Sequence, residues 1–464
     1  MVFSSIPFLY YFLPAVLAVY FLTPRKGKNA VLLLASLIFY GWGELRMLPL
    51  MGFTILLCYV CGLGIERSRN RKKLWLLASI VISVGLLGVF KYADFFIGSL
   101  NAVTGLKIPL LHLALPVGIS FYTFQCLSYT IDVYRGSVPA QKNLINFGAY
   151  VALFPQLIAG PIVRYADIAR ELEHREHSWE NAAVGLRRFL VGLGKKVILA
   201  DNFALLIRLF RQSGEKSVLF YWMYAVAFTL NIYFDFSGYS DIAVGAAALL
   251  GVRLSRNFDH PYRADSLRDF WRRWHISLTR WFTDYVYIPL GGSRRGTVRL
   301  AVNTMVVFLL SGLWHGAALH FVVWGGVHGV LLLLEKAVTP CGGKHKVRTW
   351  TAVCLRHAYT FSLVCIAWVF FRAASVSDAL LLLSRLPVDW SLSTLHTTLL
   401  SIGIQPVAEL VLGALCLHLL PETSSAAPSP RSVLAFCLLA LTVVAAWFST
   451  LHTGTTNAFI YFQF

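Results

Sequence analysis

The stretch Asp269–Gly296, DFWRRWHISLTRWFTDYVYIPLGGSRRG, decides how the chain is read. It crowds arginines, tryptophans and a histidine between long apolar runs. From Arg253 to Arg299 there are ten arginines against four aspartates, and no lysine. Arginine suits forked binding of carboxylate or phosphate and stacking on aromatic faces. Trp271, Trp274, Trp281, Tyr285 and Tyr287 are amphipathic aromatics of the kind that settle at a membrane–water boundary. Beyond the apolar run 298–313 lies a second histidine neighbourhood, Trp314-His315-Gly316. Two histidine neighbourhoods separated by one apolar run are candidates for one site.

Outward from that stretch, the chain is too apolar for a soluble domain. It is 57% hydrophobic and 14% charged, with a mean hydropathy of +0.65. A helix needs ~20 mostly apolar residues to cross a bilayer, and such segments recur along most of the 464 residues. The expectation is an all-α, polytopic transmembrane helical protein forming a single membrane-embedded domain over 1–464, around a central cavity or funnel. The formal charge of +19 sits in short loops between apolar segments. That is the pattern of the positive-inside bias, so the basic loops are expected to face the anionic cytoplasmic leaflet and its lipids and not nucleic acid. Of the eight cysteines, Cys58 and Cys61 form a C-x-x-C inside an apolar run. With no second pair and no thioredoxin-like context, all eight read as small core hydrophobes. The N-terminal run lacks a basic n-region and a small-residue cleavage site, and reads as a retained first helix.

The expected membrane segments are 7–22, 29–43, 48–65, 74–90, 115–134, 145–162, 189–210, 219–251, 298–313, 316–336, 351–372, 400–420 and 432–450, roughly eleven to thirteen crossings or part-crossings. Basic clusters at Arg25-Lys26-Gly27-Lys28 and at 67–73 (RSRNRKK) mark cytoplasmic loops. If 115–134 and 145–162 both cross, the basic residues between Arg164 and Arg188 fall on the wrong side. One of the two is therefore expected to be re-entrant, since Leu115-Pro116-Val117-Gly118 and Ala159-Gly160-Pro161 both favour broken helices. Broken backbone at membrane depth is tolerated only where protein buries it or where it lines a cavity. The region 164–188 reads as a polar surface helix, 219–251 as a long helix kinked near Gly238, and 340–348 and 421–431 as exposed connectors. No internal repeat is evident, against the repeat-built transporters.

Polar groups inside apolar segments narrow the chemistry. Asp235 and Asp241 fall in 219–251, and intramembrane carboxylates usually face a bundle interior or a water cavity. Either they serve packing, Asp235 capping a broken helix or pairing with an arginine of 253–280, or they line a proton or substrate path. His275 follows Arg272 and Arg273, cations that disfavour a protonated imidazole. It either holds an interfacial loop or lines a site as a neutral polar group. His315 sits where almost nothing is charged, and a neutral imidazole there suits general acid–base work on a hydroxyl attacking an acyl carbon. His315 and His328 lie about 220° apart on a straight helix, so no metal site is expected from one helix bearing His315, His320 and His328.

Six long motifs carry a resemblance: LPVGISFYTFQCLSYTIDVYRG (115–136), FPQLIAGPIVRY (154–165), YFDFSGYSDIAVG (233–245), NFDHPY (257–262), DFWRRWHISLTRWFTDYVYIPLGG (269–292) and LSGLWHGAALHFVVWGGVHG (310–329). With the ending FIYFQF (459–464), they make the chain resemble the membrane-bound O-acyltransferases, in particular the alginate and peptidoglycan O-acetyltransferase membrane subunits. The resemblance implies transfer of an acyl group from a cytoplasmic thioester towards a hydroxyl on an extracytoplasmic polysaccharide. It puts the family's invariant histidine at His315 and its second important position at His275, with Asp235, Asp241, Arg273 and Trp314 supporting the site or lining a path. It implies acetyl-coenzyme A as co-substrate with no bound cofactor, and Arg268 and Arg272 as further candidates for contacts to the donor's phosphates. It also implies a bacterial cytoplasmic (inner) membrane location. A separate extracytoplasmic esterase-like partner is expected to complete the transfer, since no serine-hydrolase-like domain is fused here. The alternatives are D-alanyl transfer to teichoic acid from a carrier-protein thioester, and a transporter without acyl chemistry.

Overall fold

The computed structural model describes residues 1–212, 217–338, 349–388 and 404–419. Among them every regular element is helical. This follows from the apolar runs, because in lipid each backbone group must be satisfied within its own segment. Six helical runs are long and apolar enough to cross a membrane: Arg25–Arg67, Lys72–Thr104, Val218–Leu249, Thr297–His315, Leu319–Val338 and Trp350–Arg372. The first contains two helices, Lys28–Glu44 and Leu48–Arg67, parted where Glu44 leaves helical conformation at φ −139° and ψ 48°. A shorter apolar helix, Pro7–Leu22, precedes them. Side chains such as Leu34, Ile38, Leu77, Val81, Val302 and Leu334 are exposed on these helices, as lipid-facing residues would be. The protein is an all-α, multi-pass membrane protein.

The crossings among the described residues are fewer than the apolar segments in the sequence, for identifiable reasons. Segment 145–162 is a helix only over Leu144–Ala152; residues 153–163 follow as irregular, buried backbone. Segment 115–134 begins its helix at Ile119 and ends at Arg135, buried on most faces. So 145–162 is not one continuous helix. Segment 189–210 belongs to a helical run that starts back at Trp179, and the surface helix over 164–188 is interrupted at 174–178. The helix Val218–Leu249 runs unbroken through Gly238. Gly238 instead provides close packing, since a Cβ there would stand 2.9 Å from the Gly192 carbonyl oxygen. Segment 432–450, the connectors 340–348 and 421–431, the ending 459–464, and Cys341 and Cys437 lie outside the described residues.

The chain divides into two compact units. One comprises Met1–Leu190 with Tyr239–Ser255; the other comprises Val191–Gly238 with the chain from Arg256 onwards. The long helix Val218–Leu249 contributes to both. In the first unit the irregular segment 153–163 is satisfied by side chains. Tyr150 donates its hydroxyl to the Val163 carbonyl at 2.9 Å, Gln156 Nε2 donates to Tyr150 O at 2.6 Å, and the Phe154 N–H donates to Ser36 Oγ at 3.0 Å. Gly118, at φ +75°, lets the start of the next helix lie against the Leu157 carbonyl, which any Cβ would strike. The core of the second unit is aromatic: Phe228, Phe234, Phe270, Trp274, Trp324 and Trp368 are all buried. Aromatic pairs of this kind contribute about 0.5–1.5 kcal/mol each beyond their area.

Candidate active site

The arginine–tryptophan stretch folds as two short helices, labelled α1 (Leu267–Arg273) and α2 (Ile276–Phe282), with Trp274 and His275 between them. The start of α1 is fixed twice. Ser266 Oγ accepts the Asp269 N–H, and the Glu335 carboxylate accepts the N–H groups of Leu267 at 2.7 Å and Arg268 at 3.3 Å. A carboxylate is favoured there because it meets the positive end of the helix dipole. Phe270 stacks on Trp274 at 5.6 Å, and Trp274 packs on Trp368 at 4.9 Å. Trp274 is only 1% exposed and Trp271 and Trp281 are also buried, so these tryptophans are core residues and not boundary anchors. Their ring mass is needed to fill the second unit's interior.

His275 takes a left-handed backbone, φ +44° and ψ +54°, a conformation uncommon for residues other than glycine but more open to histidine than to most. Two backbone bonds enforce it: Asp259 N–H to the Arg273 carbonyl at 3.0 Å and Ile276 N–H to the Asn257 carbonyl at 2.9 Å. The imidazole is buried against Phe236, ring centroids 4.7 Å apart, and Trp314, 6.0 Å apart. Burial holds its pKa down to about 3, so it is neutral at physiological pH. The cause is desolvation, not the neighbouring Arg272 and Arg273 that the sequence suggested.

His315 is the last residue of α3 (Thr297–His315). It is 6% exposed and ringed by Trp314 at 4.9 Å, Trp324 at 5.2 Å and Phe371 at 5.1 Å. Gly316, Ala317 and Ala318 break the chain before α4 (Leu319–Val338). The Phe321 ring occupies the place that a Cβ on Gly316 would take, and the Phe321 carbonyl does the same for Gly312. Glycine at both positions therefore lets the two helices close tightly around His315. Trp314 contacts both histidines, so His275 and His315 belong to one buried aromatic cluster.

His328 joins them, which a straight-helix reading excluded. The break at 316–318 turns α4 back on α3, so that Trp324 contacts His315 on one side and His328 at 5.1 Å on another. His328 is fully buried, and neither ring nitrogen has a hydrogen-bond partner among the described residues. His320 stays outside, half-buried against Phe321. No group of three metal-binding side chains occurs among the described residues.

The carboxylates are paired differently from expectation. Asp235 accepts from Lys196 at 2.7 Å, and Lys196 also meets Asp201 at 3.0 Å. The described partner is thus a lysine upstream. Asp241 pairs with Arg188 at 2.9 Å in the first unit. Asp235 and Lys196 are both nearly unexposed, so theirs is a buried ion pair.

Arg273 is bonded to Asp269 at 2.8 Å and to the Asp259 carbonyl at 3.3 Å. It lines a cavity of about 340 Å³ with Arg263, Asp265, Asp269, Arg356 and His357. Arg268 and Arg272 are exposed and do not line it. Sequence reading missed Arg263 and Arg356 because 92 residues separate them and only the fold brings them together.

A tight glycine-lined helical hairpin, a buried histidine at its turn and a second histidine on an arginine-rich insertion are now placed. Residues 37–376 match the family model described as MBOAT, membrane-bound O-acyltransferase family. The chain belongs to the membrane-bound O-acyltransferase family. As a member it is an acyltransferase. A probable alginate O-acetylase of Pseudomonas putida is 39% identical, the alignment covering all of both chains. The peptidoglycan O-acetyltransferase of Helicobacter pylori is 34% identical over 82% of this chain and 78% of its own. The teichoic acid D-alanyltransferase of Bacillus subtilis is 28% identical over 55% of this chain and 68% of its own.

Proposed function

We propose that this acyltransferase moves an acetyl group from acetyl-coenzyme A, at the cytoplasmic face of a bacterial inner membrane, towards hydroxyl groups of an extracytoplasmic polysaccharide. The observation that carries the reading is the single cluster around Trp314, with neutral His275 on one side and His315 on the other. The full-length likeness to a protein named for alginate O-acetylation supports the acceptor class.

In the proposed reaction His315 is the general base. As the acceptor oxygen bonds to the thioester carbon, the imidazole takes the hydroxyl proton; as the carbon–sulfur bond breaks, that proton passes to the departing thiolate. An imidazole among aromatic rings is placed to act as that base, and this type of catalysis contributes about 10²–10⁴-fold. His275 lines the same site as a polar, uncharged group. Arg263, Arg273 and Arg356 are the proposed partners of the donor's phosphates, since guanidinium forks match phosphate oxygens. Arg273 lies two residues from His275, so this cavity is joined to the histidine cluster through one short loop. A separate extracytoplasmic protein is proposed to carry the acetyl group to the polymer.

The more distant likeness to a D-alanyltransferase supports a second donor, an aminoacyl carrier thioester. Supplying membranes with labelled acetyl-coenzyme A or with labelled D-alanyl carrier protein separates the two. The acetyl reading expects label transfer from the first only, abolished by His315→Ala. Transfer that persists in a folded His315→Ala protein would remove the assigned base.

A further inference from the structure

We propose that Asn257 is a positioning residue for His275, fixing its imidazole as the Nδ1–H tautomer so that Nε2 meets the substrate only as a hydrogen-bond acceptor. Asn257 is 1% exposed, and its side-chain oxygen faces three partners. The Ser277 backbone N–H donates to it at 3.2 Å, the Ser277 hydroxyl donates at 2.8 Å, and His275 Nδ1 lies 3.1 Å away. A backbone N–H can only donate, so the atom it meets is the amide oxygen and the orientation of the Asn257 amide is settled. An oxygen accepting from Ser277 repels a bare ring nitrogen, so His275 Nδ1 must carry its hydrogen. In a neutral imidazole the other nitrogen is then unprotonated. His275 Nε2 is buried and has no hydrogen-bond partner among the described residues. A buried acceptor left unsatisfied is costly, which favours a ligand that brings a donor to it.

The left-handed turn at His275 serves the same end. Backbone bonds from Ile276 to Asn257 and from Asp259 to Arg273 clamp the two strands of the loop together. Asn257 is thus held by its own main chain while its side chain orients the ring. The consequence for chemistry is specific. An acceptor cannot stabilise the negative charge that develops on the thioester carbonyl oxygen, because that task needs donors. His275 instead receives an O–H or N–H of the substrate, either a hydroxyl of the acceptor or an amide N–H of the donor's pantetheine arm. This substrate assignment rests on the proposed acetyl transfer; the tautomer does not.

The test combines spectroscopy and kinetics on the full-length protein. In protein labelled with ¹⁵N-histidine, the His275 resonances are identified by their loss in His275→Asn. The expectation is a protonated Nδ1 and a bare Nε2 in the wild type, retained in Asn257→Asp, which keeps an accepting oxygen, and lost in Asn257→Leu. Asn257→Leu is expected to lower kcat/KM for acetyl transfer ~100-fold, the scale of a small misplacement at a reacting centre. Asn257→Asp is expected to stay within ~10-fold of wild type, because it keeps an oxygen that accepts the His275 Nδ1 hydrogen. A rise in KM for acetyl-coenzyme A assigns the donated hydrogen to the pantetheine arm, and a rise in KM for the hydroxyl acceptor assigns it to the acceptor. Wild-type His275 carrying its hydrogen on Nε2 overturns the proposal whatever the activity. So does a folded Asn257→Leu protein with wild-type kinetics where His275→Asn is impaired. If the wild type transfers no acetyl group, the reading of function fails while the tautomer measurement still stands.

Discussion

His275 and His315 touch the same tryptophan, yet they sit in different surroundings. His275 sits on a polar frame: a clamped left-handed turn, an asparagine that orients the ring, and a serine sharing that asparagine's oxygen. His315 packs between the rings of Trp314, Trp324 and Phe371 at the end of a helix closed by glycines. A hydrogen-bonded frame fixes which nitrogen carries the proton. A ring of aromatic faces excludes water from the imidazole it encloses. The first arrangement suits a group that must present one defined atom, the second a group that must gain and lose a proton.

That contrast can be broken at several points. His315→Ala is expected to reduce acetyl transfer by ~10³-fold, within the range of a lost general base, with an unchanged helical circular dichroism spectrum. His275→Asn is expected to reduce it ~10²-fold, a smaller loss, because asparagine tolerates the left-handed backbone and the base at His315 remains. Paired Arg273→Gln and Arg356→Gln changes are expected to raise KM for acetyl-coenzyme A ~10-fold with kcat within ~2-fold, as lost phosphate contacts would. The gap from wild type should narrow as salt screens the guanidinium groups. An unchanged KM in titrations of the donor would detach the cavity from the site.

The smallest effect concerns stability and pH. The folded pKa of His275, about 3, lies below the ordinary histidine value. Between the two values the unfolded chain binds the extra proton, so stability is complete above the ordinary value and falls as pH falls towards about 3. Denaturation in detergent between pH 7.5 and 5 should show a steeper acid loss for wild type than for His275→Asn, by at most ~1.4 kcal/mol per pH unit. Equal slopes would mean that the ring is not desolvated.

Much of this was legible in the chain. The apolar runs announce a multi-pass helical protein, while the charge conflict around Arg164–Arg188 casts doubt on 115–134 or 145–162 without choosing between them; of the two, 145–162 is the one whose helix stops at Ala152. The pairing of Asp235 was not legible, because Lys196 lies 39 residues upstream in what reads as another apolar segment. His328 reaches the same cluster through Trp324, because angular spacing along one helix has no meaning across the break at Gly316–Ala318. The tryptophans of 271–281 have the composition of boundary anchors, and only packing shows that they fill an interior. Asn257 stood in a recognisable motif, NFDHPY, but nothing in its spacing pointed to a histidine eighteen residues on.

The central claim is one site with two unequal histidines, and a double-mutant cycle tests it most directly. Acetyl transfer is measured for wild type, His315→Ala, His275→Asn and the double variant. If both act on the same step, the double variant should be no slower than His315→Ala, within ~2-fold, because residues that work as a unit are strongly non-additive. A double variant slowed by the full product of the two single losses would contradict the claim and separate the two histidines into independent sites.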